Sequence, residues 1–183
     1  VSDMSDMLDK TIGVSVSKRN VSGRAYNDGI SIRGLGGKRV NILIDGIRVA
    51  EAYTGYGRDV VDVDLLKRVE ILKGPSSALY GSDGLAGAIS YITKDASDLV
   101  DFGESYFSVN TSYDEGNEQT KVGFIAARVG ENIETLLQVT SRELSQLELH
   151  DDATQELDPF DGEQTSILAK FQFNLNFNIS IRF

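Results

Sequence analysis

Cysteine is absent from all 183 residues. That removes disulfides, zinc–thiolate centres and thiol nucleophiles together, without naming a compartment. Long apolar runs are also missing, and no stretch approaches the roughly 20 consecutive apolar residues of a membrane-spanning helix. Basic residues are scarce: 18 Lys and Arg stand against 28 Asp and Glu, for a formal net charge of −10. They are also unevenly placed, with 13 basic and 12 acidic residues in 1–96 but only 5 and 16 in 97–183. So acidic a second half argues against nucleic acid as a partner, because phosphate neutralisation needs clustered Lys and Arg. Glycine is skewed the other way, 13 against 5, and a boundary near Ala96–Val100 is expected. The chain opens at Val1 without a basic, then apolar, leader, so it is a mature product or a fragment, and a fragment is expected.

Chemistry-bearing clusters are few. His150 is the one histidine; a solvent-exposed residue is the default for it, with haem or metal ligation the alternative. Around it Glu143–Glu163 holds eight acids and no Lys or Arg. Asp151, Asp152, Asp158, Asp161 and Glu163 offer hard oxygens, but not in the spacing of a calcium-binding helix–loop–helix, so a solvated acidic loop is expected. No paired acid and base, nucleophile elbow or triad spacing stands out. No catalytic constellation is present in the sequence, and the chain is read as not an enzyme.

The first part reads as short elements. Asp3, Met4, Met7 and Leu8 have helical spacing, and Gly13 is a plausible stop. Val14–Ser17 and Ile30–Arg33 alternate as half-buried strands do. Gly34-Leu35-Gly36-Gly37-Lys38 invites a phosphate-loop reading, yet such a loop needs Ser or Thr after the lysine and then a helix. Arg39 and a strand follow instead, so a glycine-rich turn joining two strands is expected. Val40–Val49 folds back at Asp45-Gly46, whose preference for positive φ suits a type I′ hairpin. Ala50–Asp59 is a loop with Tyr53, Tyr56 and Arg58, which could bind a flat ligand or merely fold over a lumen. Val61–Lys67 is predicted as a short helix and Arg68–Leu72 as a strand. Gly74-Pro75 makes a corner, Ser76–Tyr80 one helical turn ending at Gly81, and Ala88–Thr93 a closing strand.

After residue 97 the pattern becomes that of an antiparallel meander. Tyr106–Tyr113, Lys121–Val129 and Ile133–Thr140 are strand-length and separated by short polar turns. From Ile167 to Phe183 every second residue is apolar, Leu168 being the one apolar residue on the other face. Such length exceeds the mean soluble strand of about 5–6 residues. It suits a membrane strand of about 9–11 residues, apolar outward and polar inward. A long amphipathic strand of a soluble sandwich is the alternative.

Several motifs, in order, resemble those of TonB-dependent outer-membrane receptors. They are Ile32-Arg33-Gly34, Ile44-Asp45-Gly46, Arg68-Val69-Glu70-Ile71-Leu72-Lys73-Gly74-Pro75, Leu79-Tyr80-Gly81 and Ile89–Lys94. The resemblance implies an α+β plug domain of short strands and short helices over residues 1–96. Residues 97–183 are then the opening strands of a transmembrane β-barrel, incomplete here because the family barrel has twenty-two strands and this chain has room for about four. Terminal Phe183 behind Phe177, Ile179 and Ile181 is similar to the C-terminal signal of bacterial barrel proteins. Tyr56-Gly57-Arg58, Val61–Asp64 and Thr93–Leu99 look most like haem or haemoglobin receptors.

What the resemblance implies for function is import across the bacterial cell outer membrane, with the plug gating the barrel. The expected cargo is an iron-containing ligand, haem or a ferric siderophore, and the expected surroundings are outer-membrane lipid. Force would come from the TonB-ExbB-ExbD energising complex, whose coupling box is not visible in this chain. Leu35, Lys38, Tyr53, Tyr56 and Arg58 are the candidate ligand contacts of the plug apex. Arg33 and Lys73 match positions that lock plug to barrel; the family more often has arginine at the second, and a lysine lacks the fork for bidentate pairing. Gly34, Asp45, Gly46, Arg68, Glu70, Gly74, Pro75, Tyr80 and Gly81 complete the plug motifs. The other readings are a ligand- or partner-binding plug without transport, and a soluble nucleotide-binding protein using Gly34–Lys38.

Overall fold

A computed structural model describes residues 8, 10–16, 30–49, 61–76, 80–81, 84–115, 119–144, 162–176 and 179–182. The chain divides into two compact units, Val1–Thr93 and Lys94–Phe183. Among the described residues no helix is long and apolar enough to cross a membrane, which leaves strands open.

Among its described residues the first unit holds two sheets. Strands β1 (Val14–Val16), β2 (Ile30–Ile32) and β3 (Leu35–Gly36) form an antiparallel sheet in that order. The second sheet runs β5 (Ile47–Arg48), β4 (Val40–Ile44), β7 (Gly87–Thr93), β6 (Leu66–Lys73). Its centre is parallel: β4 pairs with β7 in the register Ile42↔Ile89 and Ile44↔Tyr91, while β6 runs antiparallel with Ile71↔Ile89 and Val69↔Tyr91. These pairings put Ile42, Ile89 and Ile71 in one row, and Ile44, Tyr91 and Val69 in the next. The rows share a core with Val14, Val16, Ile30 and Ile32. Ile30, Ile32, Ile89 and Tyr91 are fully buried. Each such isoleucine contributes about 1.5–3 kcal/mol of burial; alternation turns the apolar residues of β1 and β2 to one side, while β7 is buried nearly throughout.

Two predicted elements differ from the structure. The expected helix over Val61–Lys67 is a single 3-10 turn, Val63–Leu65, and β6 starts at once with Leu66. Asp62 does cap that turn, accepting from the Asp64 amide at 2.9 Å. However, Leu66 is buried in the core, and its burial holds the backbone extended where the expected helix would have continued. The glycine-rich turn also lies elsewhere than expected. Arg33 (φ 52°) and Gly34 (φ 78°) make the bend between β2 and β3, and Gly37–Arg39 is a 3-10 turn leading into β4.

The second unit is one five-stranded antiparallel meander: β8 (Ser105–Asp114), β9 (Gln119–Val129), β10 (Ile133–Leu144), β11 (Gly162–Asn176) and β12 (Ile179–Arg182). The alternating stretch 167–183 is thus two strands, paired through Phe173↔Ile181 with a register shift at Asn174/Asn176. Among the described residues this unit has five strands where about four were expected. The acidic span is also shorter as a loop, because Glu143 pairs with Glu163 and Leu144 with Gly162. His150 and Asp151–Asp161 lie outside the described residues.

Candidate functional site

Two hairpins of the first unit are built alike. In each, two residues of positive φ join strands: Arg33-Gly34 between Ile32 and Leu35, and Asp45-Gly46 (φ 47° and 81°) between Ile44 and Ile47. Both are two-residue type I′ geometries, whose twist matches that of the flanking strands. Only the second carries the expected Asp-Gly signal. Arginine is an unusual occupant of the left-handed region, and its amide is fastened to the Gly13 carbonyl at 2.7 Å.

Asp45 reaches beyond its own turn. Its carboxylate accepts from the Thr93 amide at 2.9 Å and from the Thr93 hydroxyl at 2.5 Å. Its own amide donates to the Tyr91 carbonyl at 2.9 Å. The Ile-Asp-Gly motif is therefore the clasp between the β4–β5 hairpin and the end of β7.

The Gly-Pro corner is packed around a buried polar cluster. Ser76 is fully buried, and its amide and hydroxyl both donate to the Gly84 carbonyl, at 2.8 and 3.1 Å. The Tyr80 amide donates to the Ser76 carbonyl at 2.9 Å, while residues 77–79 of the helical turn expected here lie outside the described ones. Asn41, also buried, donates its amide nitrogen to the Tyr80 carbonyl at 3.4 Å, while its Oδ1 has no partner among the described residues. A β-carbon on Gly84 would come within 2.1 Å of Ser76 Oγ and 2.6 Å of Asn41 Nδ2. Glycine is required there by space. Gly81 stands at φ 84°, in the left-handed region that favours glycine.

The remaining candidates are scattered. Lys73 Nζ donates to the Ile12 carbonyl at 2.5 Å, tying the end of β6 to the turn before β1. Arg68 and Glu70 pair at 2.7 Å on the exposed face of β6. Leu35 stands half-exposed on β3, and Lys38 sits in the 3-10 turn after it. A strand rather than a helix follows Lys38, so the loop lacks the anion-cradling helix start that a nucleotide site needs. Tyr53, Tyr56 and Arg58 lie outside the described residues. Among the described residues no group of three or more His, Cys, Asp or Glu could hold a metal ion.

The meander sorts its side chains into two faces. On one, the register lines up Phe107, Ala126, Leu137 and Ala169, and beside them Val109, Phe124, Val139 and Ile167. Phe107, Val109, Ile167, Phe171 and Phe173 are exposed, and Phe107 meets Phe124 edge to face at 5.0 Å. The opposite face carries Gln138, Thr140, Arg142 and Gln164, all buried. An exposed greasy face and a covered polar face invert the soluble pattern and match a barrel wall in lipid. Strands of 10 to 15 residues in β8–β11 are long enough to cross.

An apolar island interrupts the polar face. Ala96, Leu99 and Val100 pack on Ile125, Ala127, Val129, Leu136 and Leu168. This explains Leu168, which breaks the alternation in the sequence. Beside the island Lys170 meets Asp95 at 3.0 Å, with the side chains only 13% and 22% exposed. Nothing in the sequence alone pointed to this pair, whose members lie 75 residues apart.

Residues 1–88 match the model of the TonB-dependent receptor plug domain. The vitamin B12 transporter BtuB of Vibrio vulnificus is 40% identical over 88 residues, 48% of this chain and 14% of that protein. A hemin receptor of Yersinia enterocolitica is 33% identical over 166 residues, 90% of this chain and 23% of the receptor. In fold, the FrpB iron transporter of Neisseria meningitidis superposes with a TM-score of 0.80 at 22% identity, over 97% of this chain and 28% of the transporter. The chain thus spans about a quarter or less of the length of the curated relatives it matches. With a matching plug, relatives across nearly all of its length and the same fold, the chain belongs to the TonB-dependent outer-membrane receptors, a family of transporters and receptors rather than enzymes.

Proposed function

We propose that this chain supplies the plug and the first wall strands of a receptor that imports an iron-containing ligand, haem or a ferric siderophore, with the plug gating the pore. The observation that carries this is the inverted meander, exposed apolar residues on one face and buried polar ones on the other, joined directly to a plug. In lipid, the outer edges of β8 and β12 must be paired by further strands, since hydrocarbon offers no hydrogen bonds. Similarity to a hemin receptor over 90% of the chain, against 48% for the cobalamin transporter, supports haem as the first ligand to try.

In this reading residues 1–96 act as the plug and 97–183 as wall. The end of the meander bearing the acidic loop, between Leu144 and Gly162, faces outward, because barrel proteins keep short turns on the periplasmic side. Leu35, Lys38, Tyr53, Tyr56 and Arg58 form the plug's ligand-facing apex. Arg33 and Lys73 help hold plug to wall, and the TonB-ExbB-ExbD complex provides the force. The mechanism is gating, with no bond made or broken.

The test is uptake by the full-length receptor, expressed in cells that lack their own haem receptors and are starved of iron. Growth on haem that stops when the proton gradient is collapsed supports the reading. Growth that ignores the gradient, or no uptake of haem or any ferric siderophore, sinks it.

A further inference from the structure

We propose that Arg128 holds the headgroup phosphate of an anionic phospholipid at the short-turn rim of the wall. This rests on the membrane-wall reading above. Arg128 is exposed next to the end of β9, just before the turn at Gly130. Alternation along β9 puts it on the same face as Val122, Phe124 and Ala126, the apolar one. Across the sheet its row is Ser105, Arg128, Thr135 and Phe171. None of those neighbours is acidic, so the register brings this cation no carboxylate on that face.

The two ends of the apolar face differ in charge. At the end leading to the acidic loop, the register lines up Tyr113, Thr120, Glu143 and Glu163. At the other end the row of Arg128 carries a cation and no acid. Thr120 and Arg128 bracket the apolar residues of β9, eight positions apart. Eight residues of strand advance about 27 Å. At a tilt of about 40° they span about 20 Å of the membrane, close to the height of a barrel's apolar band. Arg128 therefore lies at the rim of that band, where a cation costs far less than at its middle.

Shape and charge then select the occupant. A guanidinium presents a planar fork that matches two phosphate oxygens at once. One row further in, Phe107 and Leu137 stand exposed, as does Phe171 of its own row. A free phosphate ion meets only the cation. A phospholipid meets both features, its phosphate on Arg128 and its acyl chains along the apolar residues. The acidic row at the opposite rim repels the same headgroup, so the preference belongs to one rim.

The test uses the full-length receptor folded into phosphatidylcholine vesicles. A fluorophore is carried by Ser105→Cys, opposite Arg128 in the register, or by Thr165→Cys near the acidic row. Spin-labelled phosphatidylglycerol and spin-labelled phosphatidylcholine are compared as quenchers. Expected at 105 is half-quenching by phosphatidylglycerol at a mole fraction at least threefold lower than by phosphatidylcholine, with no such preference at 165. Arg128→Gln should abolish the preference, and Arg128→Lys should keep part of it. Equal quenching by the two lipids at 105, the same preference at 165, or a preference that survives Arg128→Gln overturns the assignment. So does loss of the preference in millimolar inorganic phosphate, which would make a free anion the occupant. Should Arg128→Gln fail to insert, the comparison of the two rims in the receptor with native Arg128 decides. Quenching by neither lipid at either position counts against the wall reading as well, whereas equal quenching by both leaves the wall standing and removes only the phosphate site.

Discussion

Asp45 and Thr93 lie 48 residues apart in sequence, and both carboxylate oxygens of the first are taken up by the second. Asp45 also stands at φ 47°, where Asn and Asp are the most tolerated residues after glycine. One residue thus satisfies a turn and a long-range clasp. Asp45→Ala should lose both, about 2–4 kcal/mol in all from the backbone and the charged hydrogen bonds. Asp45→Asn keeps the turn preference and one acceptor and should lose about half as much. Amide exchange at Thr93 is the measurement: at least tenfold faster in the alanine variant, intermediate in the asparagine variant.

The glycines divide into those needed for space and those needed for φ. A β-carbon on Gly84 would strike Ser76 and Asn41, and one on Gly87 would lie 2.1 Å from the Leu72 carbonyl oxygen. At Gly46 nothing lies within 4 Å, and only the positive φ opposes a side chain. Alanine at 87 should therefore be worst, since backbone must move, and at 84 about 1–3 kcal/mol from overpacking. At 46 it should cost about 1–2 kcal/mol. Urea midpoints of the three variants should fall in that order.

Asn41 is buried, and among the described residues its Oδ1 is unpartnered while Nδ2 makes a long bond to the Tyr80 carbonyl. Replacing it by leucine removes an unsatisfied atom along with a weak bond, so stability should change by about 1 kcal/mol or less. Asp at the same position would bury a charge without a partner, at about 3–5 kcal/mol. If the two variants unfold at the same denaturant concentration, the corner is not closed to water as described.

The two faces of the meander should respond oppositely to charge. Phe171→Arg places a cation on the exposed apolar face and should cost about 2–4 kcal/mol if the residue lies near the bilayer midplane. Ser108→Lys, on the opposite face beside Ile125, should cost about 0.5 kcal/mol. Folding of the receptor into lipid vesicles against urea would measure both.

The elements legible in the sequence were those with local causes. Asp45-Gly46 signals its own turn, and the alternation of β6 and of Ile167–Phe173 states its faces without help from the rest of the chain. The misplaced ones had non-local causes. Arginine carries no turn preference, so the Arg33-Gly34 bend was hidden behind the glycines that follow, although the Gly13 carbonyl holds it. The helix expected over Val61–Lys67 gave way to the burial of Leu66, and only the tertiary fold reveals that burial. Of the candidate site, Asp45 and the Gly-Pro corner were visible as motifs. Lys170 and Asp95 were not, because a pair 75 residues apart leaves no local pattern.

The central claim, that residues 97–183 form a membrane wall, is tested most directly along β11. Single cysteines at positions 165 to 173 of the full receptor in vesicles would carry a fluorophore, read with a lipid-confined quencher. The account predicts strong quenching at 167, 169, 171 and 173 and weak quenching at 166, 168, 170 and 172. Uniform quenching, or none at all, would contradict it.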